Sequence, residues 1–77
     1  MGLVFIMKNK LSSIELIRLN LEIILEQRNL SYKKFSDMVG MESSNIYKAI
    51  KGKRTISLAL LDKFAKALSI EPEELIK

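Results

Sequence analysis

Two short amphipathic segments on either side of Gly40 constrain the fold of this chain more than any other feature. Apolar residues in segments 32–39 and 43–50 recur at three- and four-residue spacing, which predicts two helices of about two turns each. Glycine at position 40 permits the positive φ angle at which helices commonly end. The sequence therefore predicts two helices joined by a tight turn.

The rest of the chain predicts three further helices, and only residues 3–7 allow a strand. Serine at a helix start can accept a hydrogen bond from a free backbone N–H, and proline fits the first turn because its N–H is not needed there. The five predicted helices begin near Ser12 or Ser13, Ser31, Ser43 or Glu42, Ser57 and Pro72. The side chains predicted to face the core in helices 2 to 5 are Phe35, Met38, Val39, Ile46, Ala49, Ile50, Leu58, Leu61, Phe64, Ala65, Leu68, Leu75 and Ile76.

An apolar run of five residues, 3–7, precedes the predicted helices. It is too short to span a bilayer or to serve as the apolar part of a secretory signal, so no membrane association is expected. Three interpretations stay open: a short β-arm that pairs with a partner chain, an apolar plug packed on the body, or a leader outside the natural protein if Met7 is the true start. We divide the chain into an N-terminal arm, 1–11, and a helical domain, 12–77.

Composition and charge narrow the function. The chain has neither cysteine nor histidine, which removes the usual nucleophile–base pairs and the commonest zinc ligands. We therefore expect no enzyme activity, no metal and no cofactor, and an intracellular, cytoplasmic location. Segment 28–54 carries seven basic and two acidic residues, whereas the remainder carries six and seven. Such a concentrated basic surface attracts polyanions through counterion release.

Several short motifs are spread over most of the chain, and their order and spacing are more informative than any single one of them. They are Asn20-Leu21, Leu30-Ser31, Gly40, Ile46, Gly52-Lys53-Arg54, and a closing segment with Ser57, Leu61, Ala65, Ala67-Leu68 and Glu73-Glu74-Leu75. In order and spacing, residues 17–76 resemble the Cro/C1-type (XRE-like) helix-turn-helix family. The resemblance implies an all-α, five-helix, lambda-repressor-like DNA-binding domain with its helix-turn-helix at 32–51, preceded here by a short arm that is extended in one interpretation. The third helix would enter the DNA major groove.

The chain departs from the family pattern at four positions. Tyr32 stands where the family usually has a phosphate-binding glutamine, and Ser36 replaces a small alanine at a tight helix–helix contact. Leu25 and Ile50 occupy the positions of a buried arginine–glutamate pair. Loss of one partner would leave a buried charge, whereas replacing both with apolar residues is often neutral or stabilising. We therefore predict that Leu25 and Ile50 touch across the core.

Two sets of candidate DNA contacts follow from the helical spacing and the resemblance. Residues 43, 44, 47 and 48 share one exposed helix face, because positions i, i+1, i+4 and i+5 cluster at 3.6 residues per turn. The predicted base-contacting residues are Ser43, Ser44, Tyr47 and Lys48. The predicted phosphate-contacting residues are Tyr32, Lys33, Asn45, Lys51, Lys53 and Arg54.

The resemblance implies a sequence-specific regulator of transcription that binds double-stranded DNA. A homodimer on a palindromic operator is expected, acting as a repressor or autoregulator, because one such domain contacts only half a site. Helix 5, through Leu75 and Ile76, and residues 3–7 are the candidate dimer surfaces. The alternative is an interaction module of the same fold that binds a protein partner, as antitoxins bind toxins.

Overall fold

A computed structural model describes residues 12–76, which form four α-helices and one 3₁₀ helix and contain no strand. The elements are α1 (Ser13–Gln27), α2 (Tyr32–Val39), α3 (Ser43–Ile50), α4 (Leu58–Leu68) and the 3₁₀ helix Pro72–Leu75. The all-α prediction is confirmed for this part of the chain. The arm 1–11, with its three interpretations, lies outside the described residues.

Serine side chains begin three of the four α-helices, as predicted. The hydroxyl oxygens of Ser12, Ser31 and Ser57 each accept a hydrogen bond from the backbone N–H three residues later, at 3.3, 3.0 and 3.1 Å. Among the described α-helices, α3 is the exception, because the side chain of its N-cap residue Glu42 makes no capping hydrogen bond. Contacts with neighbouring elements must therefore hold α3 in place.

All the described helices contribute to one hydrophobic core. The rings of Phe35 in α2 and Phe64 in α4 pack with centroids 5.4 Å apart, and both side chains are fully buried. The other buried apolar residues are Ile17, Leu21, Leu25, Ile46, Ala49, Ile50, Ile56, Leu60, Leu61, Ala65, Leu68 and Leu75. Ser36 is also buried, and the tight helix–helix contact expected at that position stays a prediction. Its hydroxyl donates to the carbonyl of Lys33 at 2.6 Å, so the added polar group is satisfied.

Three residues predicted to face the core are exposed instead. Met38 is 41% exposed because the buried face of α2 centres on Phe35 and Ser36, which leaves position 38 at its edge. Leu58 is 81% exposed. It begins α4, and side chains tilt toward a helix's N-terminus, beyond the turns that pack on the body. Ile76 is 44% exposed, since it lies past the 3₁₀ helix that buries Leu75.

The count of five α-helices is not confirmed, because the helix that begins at Pro72 is a four-residue 3₁₀ helix, Pro72–Leu75. Its bonds span three residues, with the amide of Glu74 donating to the carbonyl of Glu71 at 3.0 Å. Tight helices of this kind are common in pieces of three or four residues. The carbonyl of Leu75 accepts a hydrogen bond from the Asn20 side chain at 2.7 Å, which ties the segment to α1.

The turn between α2 and α3 is the one that the glycine predicts. Gly40 has a φ of 85°, and its amide donates to the carbonyl of Ser36 at 2.8 Å. The amide of Met41 donates to the same oxygen at 3.0 Å. The turn therefore completes the end of α2 and redirects the chain into α3 within three residues.

Leu25 in α1 and Ile50 in α3 are both buried, each 3% exposed, in the single core. Their direct contact stays a prediction, and a double-mutant cycle tests it. Ile50→Glu alone should destabilise the protein by about 3–5 kcal/mol, because it buries an uncompensated charge. Adding Leu25→Arg should recover much of that loss, measured by urea unfolding. A double variant no more stable than Ile50→Glu alone would contradict the contact.

Candidate nucleic-acid interface

One face of α3 is open to solvent and the opposite face is buried, as the helical spacing predicts. Ile46, Ala49 and Ile50 lie in the core, where α3 packs on α2 and α1. On the other side, Ser44, Tyr47 and Lys48 are exposed, and Ser43 and Asn45 are half-buried. The structure therefore leaves all four predicted base-contacting residues at least partly accessible on α3.

Arg18 of α1 holds the C-terminal end of α3. Its Nε donates to the carbonyl of Ala49 at 3.1 Å, and its Nη2 donates to the carbonyl of Arg54 at 3.4 Å. The last carbonyls of a helix have no partner within the helix, so a side chain that reaches them stabilises that end. A cation is also favoured there by the helix dipole. Arg18 thus fixes both the end of α3 and the loop that follows it.

The loop after α3 begins with a tight turn that is closed by a backbone hydrogen bond, and its cationic side chains follow this turn. Gly52 adopts a φ of 82°, and the amide of Lys53 donates back to the carbonyl of Lys48 at 2.8 Å. A Cβ at position 52 would lie 3.5 Å from the Arg18 guanidinium, an ordinary contact, so the backbone angle requires the glycine. Lys53 and Arg54 are exposed on this loop, which directly follows α3.

A carboxylate of α1 engages two of the predicted phosphate-contacting residues. The Oε1 of Glu22 accepts a hydrogen bond from Lys51 Nζ at 2.8 Å and from the Tyr32 hydroxyl at 3.3 Å. This hydrogen bond and the negative charge of Glu22 raise the pKa of Lys51 above its ordinary value. Lys51 is therefore a cation at neutral pH, and its ammonium group points toward the Glu22 carboxylate of the same chain.

Aromatic contact links the start of α2 to the open face of α3. The rings of Tyr32 and Tyr47 meet edge to face, with centroids 5.9 Å apart and an angle of 72° between their planes. Such an arrangement is favoured by the opposite charge of ring face and ring edge. Tyr47, which is 44% exposed, consequently stands on the accessible face with one side supported by Tyr32.

The predicted phosphate-contacting residues fall into groups in the structure. Lys53 and Arg54 are exposed on the loop after α3, while Lys51 and Tyr32 engage Glu22. Lys33 pairs with Asp37 one turn later in α2 at 2.9 Å, and both side chains are largely exposed. Exposed pairs of this kind contribute little to stability and exchange readily.

Sequence reasoning missed Arg18 and Glu22, the two α1 residues that contact the end of α3. One signal for Arg18 was available. It lies three residues before Leu21 and seven before Leu25, so it is a basic residue on the apolar side of the helix. Its partner carbonyl lies 31 residues away in sequence, and nothing local indicates that distance. Glu22 carried no comparable signal.

Within residues 12–76, no helix combines the length and apolar composition that crossing a bilayer requires. In the same part of the chain, no group of three or more acidic side chains is placed to hold a metal ion.

Comparison with known families gives a match over most of the chain. The model of the Cro/C1-type HTH DNA-binding domain matches residues 20–77. No curated protein and no solved structure matched the sequence. The matched range includes α2, the turn at Gly40, α3 and the basic loop.

The contacts of Arg18 predict a local effect of its loss. Arg18→Met should destabilise the protein by about 1–3 kcal/mol, because it leaves a partly buried carbonyl without its donor. Hydrogen exchange of the Lys53 backbone amide, measured by NMR, should accelerate by more than the overall loss of stability explains. Arg28→Met is the matched control, since Arg28, the C-cap residue of α1, donates to the carbonyl of Leu68 at the end of α4 at 2.7 Å. Equal acceleration at Lys53 in both variants would contradict the assignment.

Proposed function

The chain belongs to the Cro/C1-type helix-turn-helix DNA-binding family, and we propose that it is a sequence-specific regulator of transcription that binds double-stranded DNA as a homodimer. Autoregulation or repression is the role proposed within that class, and access to DNA places the protein in the cytoplasm. The observation that carries the proposal is the open face of α3. It presents polar and basic side chains beside a cationic loop, while the opposite face of the helix is buried.

The proposed base contacts come from this open face, which would lie in the major groove. Lys48 can donate to O6 and N7 of guanine, and the hydroxyls of Ser43 and Ser44 can donate or accept. The ring of Tyr47, supported by Tyr32, can contact a thymine methyl group. Because serine hydroxyls pair with either kind of group, each half-site should show modest specificity.

The proposed phosphate contacts surround this face and set the register of the protein on the duplex. Lys53 and Arg54 are exposed on the loop that Arg18 holds. The remaining members of the set are Tyr32, Lys33, Asn45 and Lys51. The basic residues among them contribute affinity that does not depend on sequence and that weakens as salt rises.

A second protomer is proposed because one recognition helix contacts only half of a site. Two-fold dimers place two such helices about 34–36 Å apart, one turn of DNA. Leu75, one candidate dimer contact, is fully buried within its own chain and is not available for that role. The surfaces that remain for the proposed dimer are the exposed Ile76 and residues 3–7, which lie outside the described part of the chain.

The proposal is tested by binding to the DNA upstream of the protein's own gene and to a random duplex, across a salt series. We expect a specific complex with two protomers per site, more resistant to salt than the non-specific complex. Stoichiometry is measured by analytical ultracentrifugation of the complex. Weak, equal binding to both duplexes that disappears near physiological salt would overturn the proposal and favour a protein partner instead.

The roles of two lysines predict different responses to substitution. Lys53→Ala should weaken binding to all duplexes and lower the slope of log K against log salt by about one unit per protomer, because one phosphate contact is lost. Lys48→Ala should cost about 1–3 kcal/mol per half-site, mainly on the specific duplex. The measurement is a fluorescence anisotropy titration on both duplexes. If the two variants lose specific and non-specific affinity equally, the division of roles is wrong.

A further inference from the structure

Glu22 of α1 accepts hydrogen bonds from two of the residues that are proposed to contact phosphate. Its Oε1 accepts from Lys51 Nζ at 2.8 Å and from the hydroxyl of Tyr32 at 3.3 Å. An ammonium and a phenol hydroxyl that converge on one anionic oxygen are also the donors with which proteins bind a phosphate oxygen. The same two donors, at the end of α3 and the start of α2, can therefore bind a phosphate oxygen in place of the carboxylate oxygen.

The pair is built so that it can be exchanged. The side chains of Lys51 and Glu22 are 41% and 38% exposed, so water screens their attraction. Ion pairs of this kind typically contribute between zero and about 1 kcal/mol, which makes the contact easy to break. A DNA phosphate, which lies in a dense array of like charges, can compete with a single exposed carboxylate for the same lysine.

The location of the pair connects it to the open face of α3. Lys51 is the C-cap residue of α3 and is followed directly by the loop that carries Lys53 and Arg54. Tyr32 also supports the ring of Tyr47 on the open face. A negative charge at Glu22 therefore lies among side chains for which a DNA role has been proposed.

We propose that Glu22 is an affinity-determining residue that competes with DNA phosphate for Lys51 and Tyr32. This inference rests on the proposed DNA-binding function. In the free protein, Glu22 holds both donors and cancels the charge of Lys51. In the complex, Lys51 turns from Glu22 to a phosphate, so part of the binding free energy is used to break the internal pair. Glu22 thereby limits the affinity for any duplex.

The test is Glu22→Gln, which removes the charge and retains an oxygen that can accept from Lys51 and Tyr32. Affinity for both the specific and the random duplex should rise by up to about fivefold per protomer near 0.1 M salt, in keeping with the small contribution of an exposed ion pair. The slope of log K against log salt should stay close to that of the wild type, because Lys51 contacts a phosphate in both complexes and the same number of counterions is displaced. Both quantities come from anisotropy titrations at four or more salt concentrations.

Glu26→Gln is the matched control, because it makes the same change of charge one turn later on α1. Glu26 is exposed, and no ion pair joins it to Lys51 among the described residues. We expect a clearly smaller gain from Glu26→Gln, and we expect Lys51→Met to remove most of the gain that Glu22→Gln produces. Equal gains in affinity from the two glutamine variants would show that only the net charge of the protein matters, and would overturn the inference. So would an unchanged gain in the Lys51→Met background.

A second measurement observes the pair without DNA. The pKa of Lys51, followed by NMR through its side-chain resonances, should fall in Glu22→Gln, since the hydrogen bond to the carboxylate and its charge raise it. An unchanged pKa would show that the pair does not form in solution and would overturn the inference.

Failure of this inference and failure of the proposed function give different results. If the wild-type protein binds its specific duplex and Glu22→Gln leaves the affinity unchanged or lowers it, only the role of Glu22 is overturned. If neither protein binds any duplex at low salt, while both unfold cooperatively as folded domains, the DNA-binding function itself is overturned. Binding by Glu22→Gln alone would support both.

Discussion

The structure depends on side chains of α1 that reach the C-terminal carbonyls of other elements. Helices of eight residues, such as α3, are marginal alone, and the last carbonyls of any helix lack partners within it. α1, at fifteen residues, supplies two of these partners, and its C-cap residue Arg28 supplies the third. The contacts are Arg18 to Ala49 at 3.1 Å, Asn20 to Leu75 at 2.7 Å and Arg28 to Leu68 at 2.7 Å. Through Arg18, α1 thereby anchors α3, the helix that carries the proposed base contacts.

The connection between α1 and α3 is divided into an apolar interior and a polar rim. In the interior, Leu25 and Ile50 are both buried apolar residues, so the core holds no charge at these positions. At the rim, Arg18 and Glu22 contact the end of α3 through hydrogen bonds that remain partly open to water. Charged side chains lose less hydration at a rim than in a core. Arg18 and Glu22 therefore hold the end of α3 in position without a buried ion pair.

This division also separates stability from binding. Ile46, Ala49 and Ile50 fasten α3 to the body, so side chains on its open face can vary without altering the fold. The rim, by contrast, acts on both, because Arg18 fixes the loop that carries Lys53 and Glu22 engages Lys51. A change on α1 can therefore alter the proposed DNA contacts from a position outside the recognition helix.

The sequence by itself determined what depends on neighbouring residues: three serine caps, the turn at Gly40 and the buried and open faces of α3. These features arise from hydrogen bonds and spacings of three to seven residues, which a linear pattern records. The apolar periodicity wrongly predicted that Met38 and Leu58 face the core, because periodicity does not show where a helix's packing partners end. Only the tertiary structure decided that Arg18 reaches Ala49 and that Glu22 reaches Lys51, 31 and 29 residues away. The packing angle between α1 and α3 brings these groups together, and no local signal contains that angle.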